Sequence, residues 1–447
     1  MVGKEKNIMK KVVKFGGSSL ASAEQFKKVG EIIKADPDRV YVVPSAPGKR
    51  NSKDTKVTDM LYKTYALAED GKDFKKQLSD IKARYDEIIK GLGLKLSLSD
   101  EFKTIEKNFK EKAGKDYAAS RGEYLNGIIM AAYLGYEFID AATVVAFDKN
   151  GEFDGEKTNK LMGKKLEKHE RAVIPGFYGA YPDGSVKTFS RGGSDITGSI
   201  VSRAIKADVY ENWTDVSGFL VTDPRIIDKP PHIETITYTE LRELAYMGAG
   251  VLHEDAIFPV RKEGIPINIR NTNKPEDPGT WIVESTAKKS KYVITGIAGK
   301  KGFCCVNVLK DQMNSEVGFV RKVLQAFEDQ NISIEHVPSG IDTMTVFVQQ
   351  DEFIEKEQAV VSEIHRLAHP DMLEIESDLA LIAVVGRGMK STRGTAGRIF
   401  SALAHASVNV RMIDQGSSEL NIIIGVETRD FEKAIRAIYD IFVTTQI

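Results

Sequence analysis

Val12-Val13-Lys14-Phe15-Gly16-Gly17-Ser18-Ser19 reads as a β-strand running into two glycines and two hydroxyl residues, with a helical pattern opening at Ala23. β-Branched and aromatic residues suit a pleated, buried strand, and a glycine pair lets the backbone turn tightly at its end. Outward from that stretch, short apolar runs at 40–43, 142–147 and 173–174 alternate with helical patterns. Such alternation predicts an α/β fold with a mostly parallel open sheet and helices on both faces. Between 54 and 115 the chain becomes rich in lysine and glutamate, with Leu78, Ile81, Tyr85, Ile88 and Ile89 at helical spacing. This segment is expected to be a helical elaboration of the first domain. Turn chemistry at Pro275, Pro278 and Gly279 precedes a last strand near 281–283 and a short basic run, so the first domain is expected to span 1–288.

Beyond 292 an internal repeat governs the architecture. Ile332-Ser333-Ile334 through Pro338-Ser339-Gly340 aligns with Val408-Asn409-Val410 through Asp414-Gln415-Gly416, and the same offset carries Gly318 onto Gly394. Each copy reads strand, glycine-bearing loop, amphipathic helix, strand, turn, strand, helix. That is a ferredoxin-like βαββαβ plan used twice, over 292–375 and 376–447. The small-residue loop before each first helix exposes backbone N–H groups that suit a ligand carboxylate, although tight turning alone also explains the glycines.

A chain of 447 residues is too long for one core. Lys+Arg 63 against Asp+Glu 64 leaves a net charge of -1, which gives no global field for nucleic acid or an anionic membrane. The lysine-bearing segment 1–13 lacks the apolar run of a signal peptide, and no later segment is long enough without charge to span a bilayer. A cytoplasmic protein acting on a small ligand is the expectation. Cys304 and Cys305 are adjacent in an apolar strand-like run, where a mutual disulfide would be strained, so they read as buried packing residues.

No glycine-rich loop ends in Gly-Lys-Ser or Gly-Lys-Thr, so a phosphate site has to be sought elsewhere. The loop after 12–15 offers backbone N–H groups at a helix start, with Lys14 placed to neutralise charge between β- and γ-phosphates; read alone, Gly-Gly-Ser-Ser is more often an ordinary loop. Phe189-Ser190-Arg191-Gly192-Gly193-Ser194-Asp195 is again strand, glycine pair and helix. An arginine there can grip a carboxylate with two parallel hydrogen bonds, and Asp195 can orient a metal-bound water or an ammonium; a helix cap beside an exposed arginine is the plainer alternative. Ser120-Arg121-Gly122-Glu123 supplies an acid able to pair with an amino group, or a solvated helix glutamate.

Three other patterns carry no chemistry. Gly386-Arg387-Gly388 has Ser391 where a dinucleotide fingerprint needs its third glycine. His365 and His369 lack the intervening glutamate and third ligand of a zinc site. The lysines of 107–115 are interleaved with acids, as on a solvated helix face.

Taken together, Lys14-Phe15-Gly16-Gly17-Ser18-Ser19, Ser120-Arg121-Gly122-Glu123, Arg191-Gly192-Gly193-Ser194-Asp195, Trp213-Thr214-Asp215-Val216, Thr222-Asp223-Pro224-Arg225, Ile265-Pro266 and Arg270-Asn271-Thr272 resemble the aspartate kinase family in order and spacing. The C-terminal repeat resembles that family's paired ACT domains, with Met412-Ile413-Asp414-Gln415-Gly416-Ser417-Ser418-Glu419 near the second-copy signature. The resemblance implies transfer of the γ-phosphoryl of ATP, with Mg2+ and no protein metal ligand, to the side chain of L-aspartate. Lys14 and Asp195 take the catalytic places. Ser45, Thr58, Glu123, Arg191 and Ser194 would surround the acceptor, Glu123 pairing with its α-amino group and Arg191 clamping its α-carboxylate. Lys14, Phe15, Gly16, Gly17, Thr214, Asp215, Leu220, Arg225, Gly250 and Val251 would surround ATP, with Leu220 in place of a frequent tyrosine and Gly250 in place of a frequent lysine. Residues 49–56 separate Ser45 from Thr58 by more than is usual. The resemblance further implies a homo-oligomer formed through ACT domains and a feedback amino acid, lysine or threonine, near Met313, Ser315, Val317, Gly318, Phe319, Val320, His336 and Asp342. Sister kinases acting on glutamate, acetylglutamate or a nucleotide, and an inactive amino-acid sensor, are the competing readings.

Overall fold

The computed structural model describes residues 9–445 apart from 191, 251, 253–255 and 289. The described chain forms two compact units, one of Met1–Phe219, Glu234–Tyr238 and Val251–Thr286, the other of Leu220–Ile233, Thr239–Gly250 and Ala287–Ile447.

The first unit is built on strands β1 (Lys11–Phe15), β2 (Arg39–Pro44), β3 (Glu137–Phe138), β4 (Ala172–Val173), β7 (Val209–Thr214), β8 (Thr235–Thr237), β9 (Ile267–Asn271) and β10 (Thr280–Val283), in the order β3-β4-β2-β1-β7-β9-β10-β8. Pairing is parallel throughout except between β9 and β10. Near-complete burial of β1, β2 and β7 matches central strands covered on both faces. A two-stranded hairpin, β5 (Tyr178–Ala180) with β6 (Val186–Thr188), stands apart from this sheet. Helices α1 (Ala23–Lys34), α2 (Val57–Glu69), α3 (Lys75–Gly91), α4 (Ser99–Lys110), α5 (Lys115–Leu134), α6 (Gly155–Leu166), α7 (Gly193–Ala204) and α9 (Phe258–Arg261) belong to this unit, whereas α8 (Tyr238–Tyr246), between β8 and α9 in the chain, lies in the second unit from Thr239 onward.

The expected elaboration consists of α2, α3 and α4, and it has no separate core. Leu61, Ile81, Tyr85, Phe102 and Phe109 pack in one cluster with Phe15, Phe26, Val42, Leu125 and Trp213. The strand expected at 142–147 is instead a short 3-10 turn, Ala141–Thr143, followed by isolated bridges from Ala146 to Ala180 and from Phe147 to Phe153. Asp140 caps that turn by accepting from the Ala142 N–H, which holds the backbone out of an extended ladder.

In the second unit a six-stranded antiparallel sheet runs β12-β13-β11-β14-β16-β15. Its strands are β11 (Gly296–Leu309), β12 (Ile334–His336), β13 (Thr343–Gln349), β14 (Met372–Val385), β15 (Val410–Asp414) and β16 (Asn421–Glu427). Between them lie α10 (Phe319–Glu328), α11 (Gln350–Ile354), α12 (Glu357–Ala368), α13 (Thr395–His405) and α14 (Phe431–Tyr439). The repeat is visible in the backbone, because Gly318 and Gly394 both cap their helices with positive φ, 84° and 80°.

The two copies are interleaved rather than laid end to end. β11 and β14 pair along their whole length, from Gly296 with Val385 to Leu309 with Met372. Only 303–309 of β11 meets β13, and only 379–385 of β14 meets β16. The second copy therefore takes its fourth strand from the start of β11, ahead of the first copy. A first domain of uninterrupted 1–288 is likewise amended, since 220–233 and 239–250 belong to the second unit. The physical reason is local pairing: the Ile297 N–H donates to the Val221 carbonyl at 2.7 Å, and buried Glu240 accepts from Thr295 Oγ1 at 2.6 Å and from the Arg387 N–H at 2.9 Å.

Gly386 and Gly388 are explained by packing, since a Cβ on either would meet the backbone of 293–295 at 2.5–2.9 Å. Cys304 and Cys305 are free and buried. Among the described residues no helix is long and apolar enough to cross a membrane.

Candidate active site

Parallel pairing brings the carboxyl ends of β2, β1 and β7 side by side, the edge at which open α/β sheets receive ligands. Register places Lys14 opposite Asn212, so both side chains leave the same face. The Lys14 ammonium lies 2.6 Å from Asp195 Oδ1, and Asn212 Nδ2 donates to that same oxygen at 2.8 Å. Asp195 sits in the first turn of α7, where the helix dipole favours a carboxylate. Asn212 has no motif signal of its own; only the register with Lys14 reveals it.

The loop after β1 packs on the loop after β2. Gly48 N–H donates to the Gly17 carbonyl at 2.7 Å, and a Cβ on Gly17 would lie 2.8 Å from the Ala46 carbonyl oxygen. Gly17 is thus required by close approach, its φ of -61° being open to any residue. Gly16 N–H is taken by the Trp213 carbonyl at 3.0 Å, which leaves Gly17 and Ser18 as the loop's N–H groups for a phosphate among the described residues. Phe15 is fully buried and stacks on Trp213, so its contribution to a nucleotide site is confined to backbone.

α5 supplies the acid. Glu123 is buried, and desolvation pushes its carboxyl up to about 8, against the pull of the Ala46 N–H and of Arg121. Its Oε2 has no hydrogen-bond partner. One turn on, Asn126 donates to the Ser45 carbonyl at 2.6 Å while its own Oδ1 is unpartnered. A Cβ on Gly122 would meet Ala46 Cβ at 2.8 Å and Thr58 Oγ1 at 3.7 Å, so Thr58 lies against α5 at the residue next to Glu123 in sequence, despite the long 49–56 segment. Sequence reading missed Asn126; its three-residue spacing after Glu123 on one helix face is the signal that could have found it. Arg121 turns elsewhere, its guanidinium 4.3–5.4 Å from the rings of Tyr117, Tyr124 and Tyr178. Ser194 is buried against Gly176, where a Cβ would lie 2.6 Å from its side chain.

Of the remaining expected nucleotide residues, Thr214 donates to Asp215 at 3.2 Å at the end of β7. Leu220, Arg225 and Gly250 lie in the second unit. There Leu220 bridges to His232, Arg225 is held by Asp223 at 2.6 Å, and Gly250 N–H donates to the Gly248 carbonyl. Arg191 and Val251 lie outside the described residues.

The expected effector residues divide by exposure. Met313 and Phe319 are buried in the apolar cluster beneath α10, whereas Val317 and Val320 are exposed. Ser315 donates to the Gln312 carbonyl, and Asp342 accepts the Gln312 N–H at 2.9 Å. His336 is paired with Asp414 at 2.7 Å.

Among the described residues no three His, Cys, Asp or Glu side chains converge on a possible metal position. Asp195 is the acid paired with Lys14 among the described residues.

Residues 9–271 match the model of the amino acid kinase family, and 382–442 match an ACT domain. The chain is 38% identical to aspartokinase 3 of Bacillus subtilis, over 97% of this chain and 98% of that one. A crystal structure of Clostridium acetobutylicum aspartate kinase, described as an allosteric enzyme, is 52% identical and superposes with a TM-score of 0.89 over 97% and 100% of the two chains. E. coli aspartokinase III, solved with aspartate and ADP, shares the fold at a TM-score of 0.74 and 23% identity over 97% and 99%. With the paired lysine and aspartate at the edge of a parallel sheet and a doubled ACT-like sheet behind it in sequence, the chain belongs to the aspartokinases of the amino acid kinase family.

Proposed function

We propose that this kinase transfers the γ-phosphoryl group of ATP to the β-carboxylate of L-aspartate, giving 4-phospho-L-aspartate, the first step toward lysine, threonine and methionine. The observation that carries the acceptor assignment is the buried Glu123 carboxyl, which lacks a partner on Oε2, is bonded by the Ala46 N–H of the loop after Ser45, and follows Gly122, the residue that approaches Thr58. An α-ammonium is the group such a buried carboxyl selects as it ionises.

An aspartate side chain, with its pKa of roughly 3.9, is already ionised at neutral pH, so the transfer needs no general base. It needs two anions brought together. Lys14 supplies positive charge at the γ-phosphate, and Asp195 with Asn212 holds the ammonium in place. The N–H groups of Gly17 and Ser18 receive phosphate oxygens, Glu123 orients the amino group, and Arg191 takes the α-carboxylate. Mg2+, when bound with the nucleotide, supplies further neutralisation of the phosphate oxygens. The ACT-like sheet serves homodimer formation and binding of lysine or threonine, in a cytoplasmic enzyme.

The test is ADP release, enzyme-coupled, with Mg-ATP and L-aspartate, L-glutamate or N-acetylglutamate, each with and without lysine and threonine. Aspartate-dependent turnover suppressed by one effector is the expected result. Turnover with another acceptor alone would move the chain to a sister activity, and effector binding without turnover would make it a sensor.

A further inference from the structure

Helix α3 belongs to the elaboration that the sequence presents as an addition to the fold, yet two adjacent side chains of it reach the catalytic layer. Tyr85, fully buried, donates its hydroxyl to the Gly122 carbonyl at 2.7 Å, one residue before Glu123. Arg84, 5% exposed, turns the other way into the loop after β2. Its Nη1 donates to the Thr55 carbonyl at 2.8 Å, and its Nη2 donates to the Gly48 carbonyl and lies 3.0 Å from Asp54 Oδ2. Asp54 is held in turn by the Arg50 N–H and Nε, both at 2.9 Å.

That loop begins at Ser45, whose N–H donates to the Phe15 carbonyl, and ends at α2, which carries Thr58. Gly48, one of the two carbonyls Arg84 holds, also donates its N–H to Gly17. A Cβ on Gly48 would stand 2.5 Å from the Gly17 carbonyl carbon, so the two loops have no slack between them. One guanidinium therefore ties the helical elaboration to the acceptor loop at both its ends and, through one peptide, to the phosphate loop.

We propose that Arg84 is a positioning residue of the transfer reaction, fixing loop 46–57 so that Ser45 and Thr58 face the phosphate loop at reacting distance. Residues 49–56, which lengthen the loop, supply Asp54 as the counter-ion that lets the arginine stay buried. The proposal rests on the acceptor and phosphate assignments above.

The experiment compares wild type, Arg84→Met, Arg84→Lys and Asp54→Asn, at a temperature where melting curves show each folded. It reads kcat, KM for acceptor and for ATP, and hydrogen exchange of 46–57 without substrate. Arg84→Met is expected to lower kcat/KM for the acceptor about 100-fold, the scale of a misplaced reactant, with KM for ATP changed less than about threefold. Arg84→Lys keeps the charge opposite Asp54 but cannot reach both carbonyls, so melting returns toward wild type while kcat/KM stays at least about tenfold low. Faster exchange of 46–57 is expected in both. If Arg84→Met does not fold, Arg84→Lys and Asp54→Asn decide the matter. Wild-type kcat/KM in folded Arg84→Lys, or unchanged exchange of 46–57, would overturn the proposal and leave Arg84 a stabilising residue only. Because the wild type is assayed with all three acceptors, and exchange needs none, an error in the acceptor is separable from an error in the clamp.

Discussion

Binding of aspartate at pH 7 is expected to expel a proton from Glu123. Burial raises this carboxyl from 4.5 to about 8, so about nine-tenths of free protein carries the proton at pH 7. An ammonium set against Oε2 makes the ionised form the favoured one, and about 0.9 of a proton leaves per site filled. The same shift bears on stability. The folded pKa lies above the unfolded one, so the stability present below pH 4.5 is lost as pH rises toward and through 8. The loss reaches about 3 kcal/mol at pH 7 and about 5 kcal/mol above pH 8, from 1.4 kcal/mol per pKa unit. Calorimetric titration of aspartate at pH 7 in phosphate and in Tris, whose ionisation enthalpies differ, counts the protons. Glu123→Gln should bind aspartate weakly, release close to none, and flatten the fall in stability between pH 5 and 8. A wild-type count near zero, or an equal count in Glu123→Gln, would refute the reasoning.

Lys14→Ala should lower kcat about 100- to 1,000-fold in the coupled assay while the fold is kept, as expected for loss of one charged donor at the transferring group. Glu240→Gln puts a neutral amide at a fully buried position facing the partly exposed Arg387 guanidinium, and a loss of about 1–3 kcal/mol should show as an earlier urea midpoint at unchanged slope. Burial pushes the Cys304 thiol up to about 11 and the Cys305 thiol up to about 12, so neither should be alkylated by iodoacetamide at pH 8 until the protein is unfolded, as read by mass spectrometry.

Much of this protein is written locally. The run from Val12 to the helix at Ala23, the Lys-rich helices with apolar stripes, and the offset joining Gly318 to Gly394 all depend on neighbours within a few residues. Such signals need only backbone propensity and periodicity, and they suffice for an α/β domain followed by a doubled βαββαβ unit. Lys14 and Glu123 were legible for the same reason, each standing in a short motif.

What tertiary structure alone decided is who meets whom across the chain. Lys14 finds Asp195 and Asn212 because β1 and β7 pair in one register, and nothing in the intervening sequence encodes that choice. Glu123 becomes an acid of raised pKa only when α5 is covered, since the cost of desolvation belongs to the surroundings and not to the residue. β11 is shared between the two copies because a strand's hydrogen-bonding edges are alike all along it, and the partner each stretch takes depends on what folds beside it. Local order follows from the nearest residues; burial, charge and pairing are properties of the assembled neighbourhood.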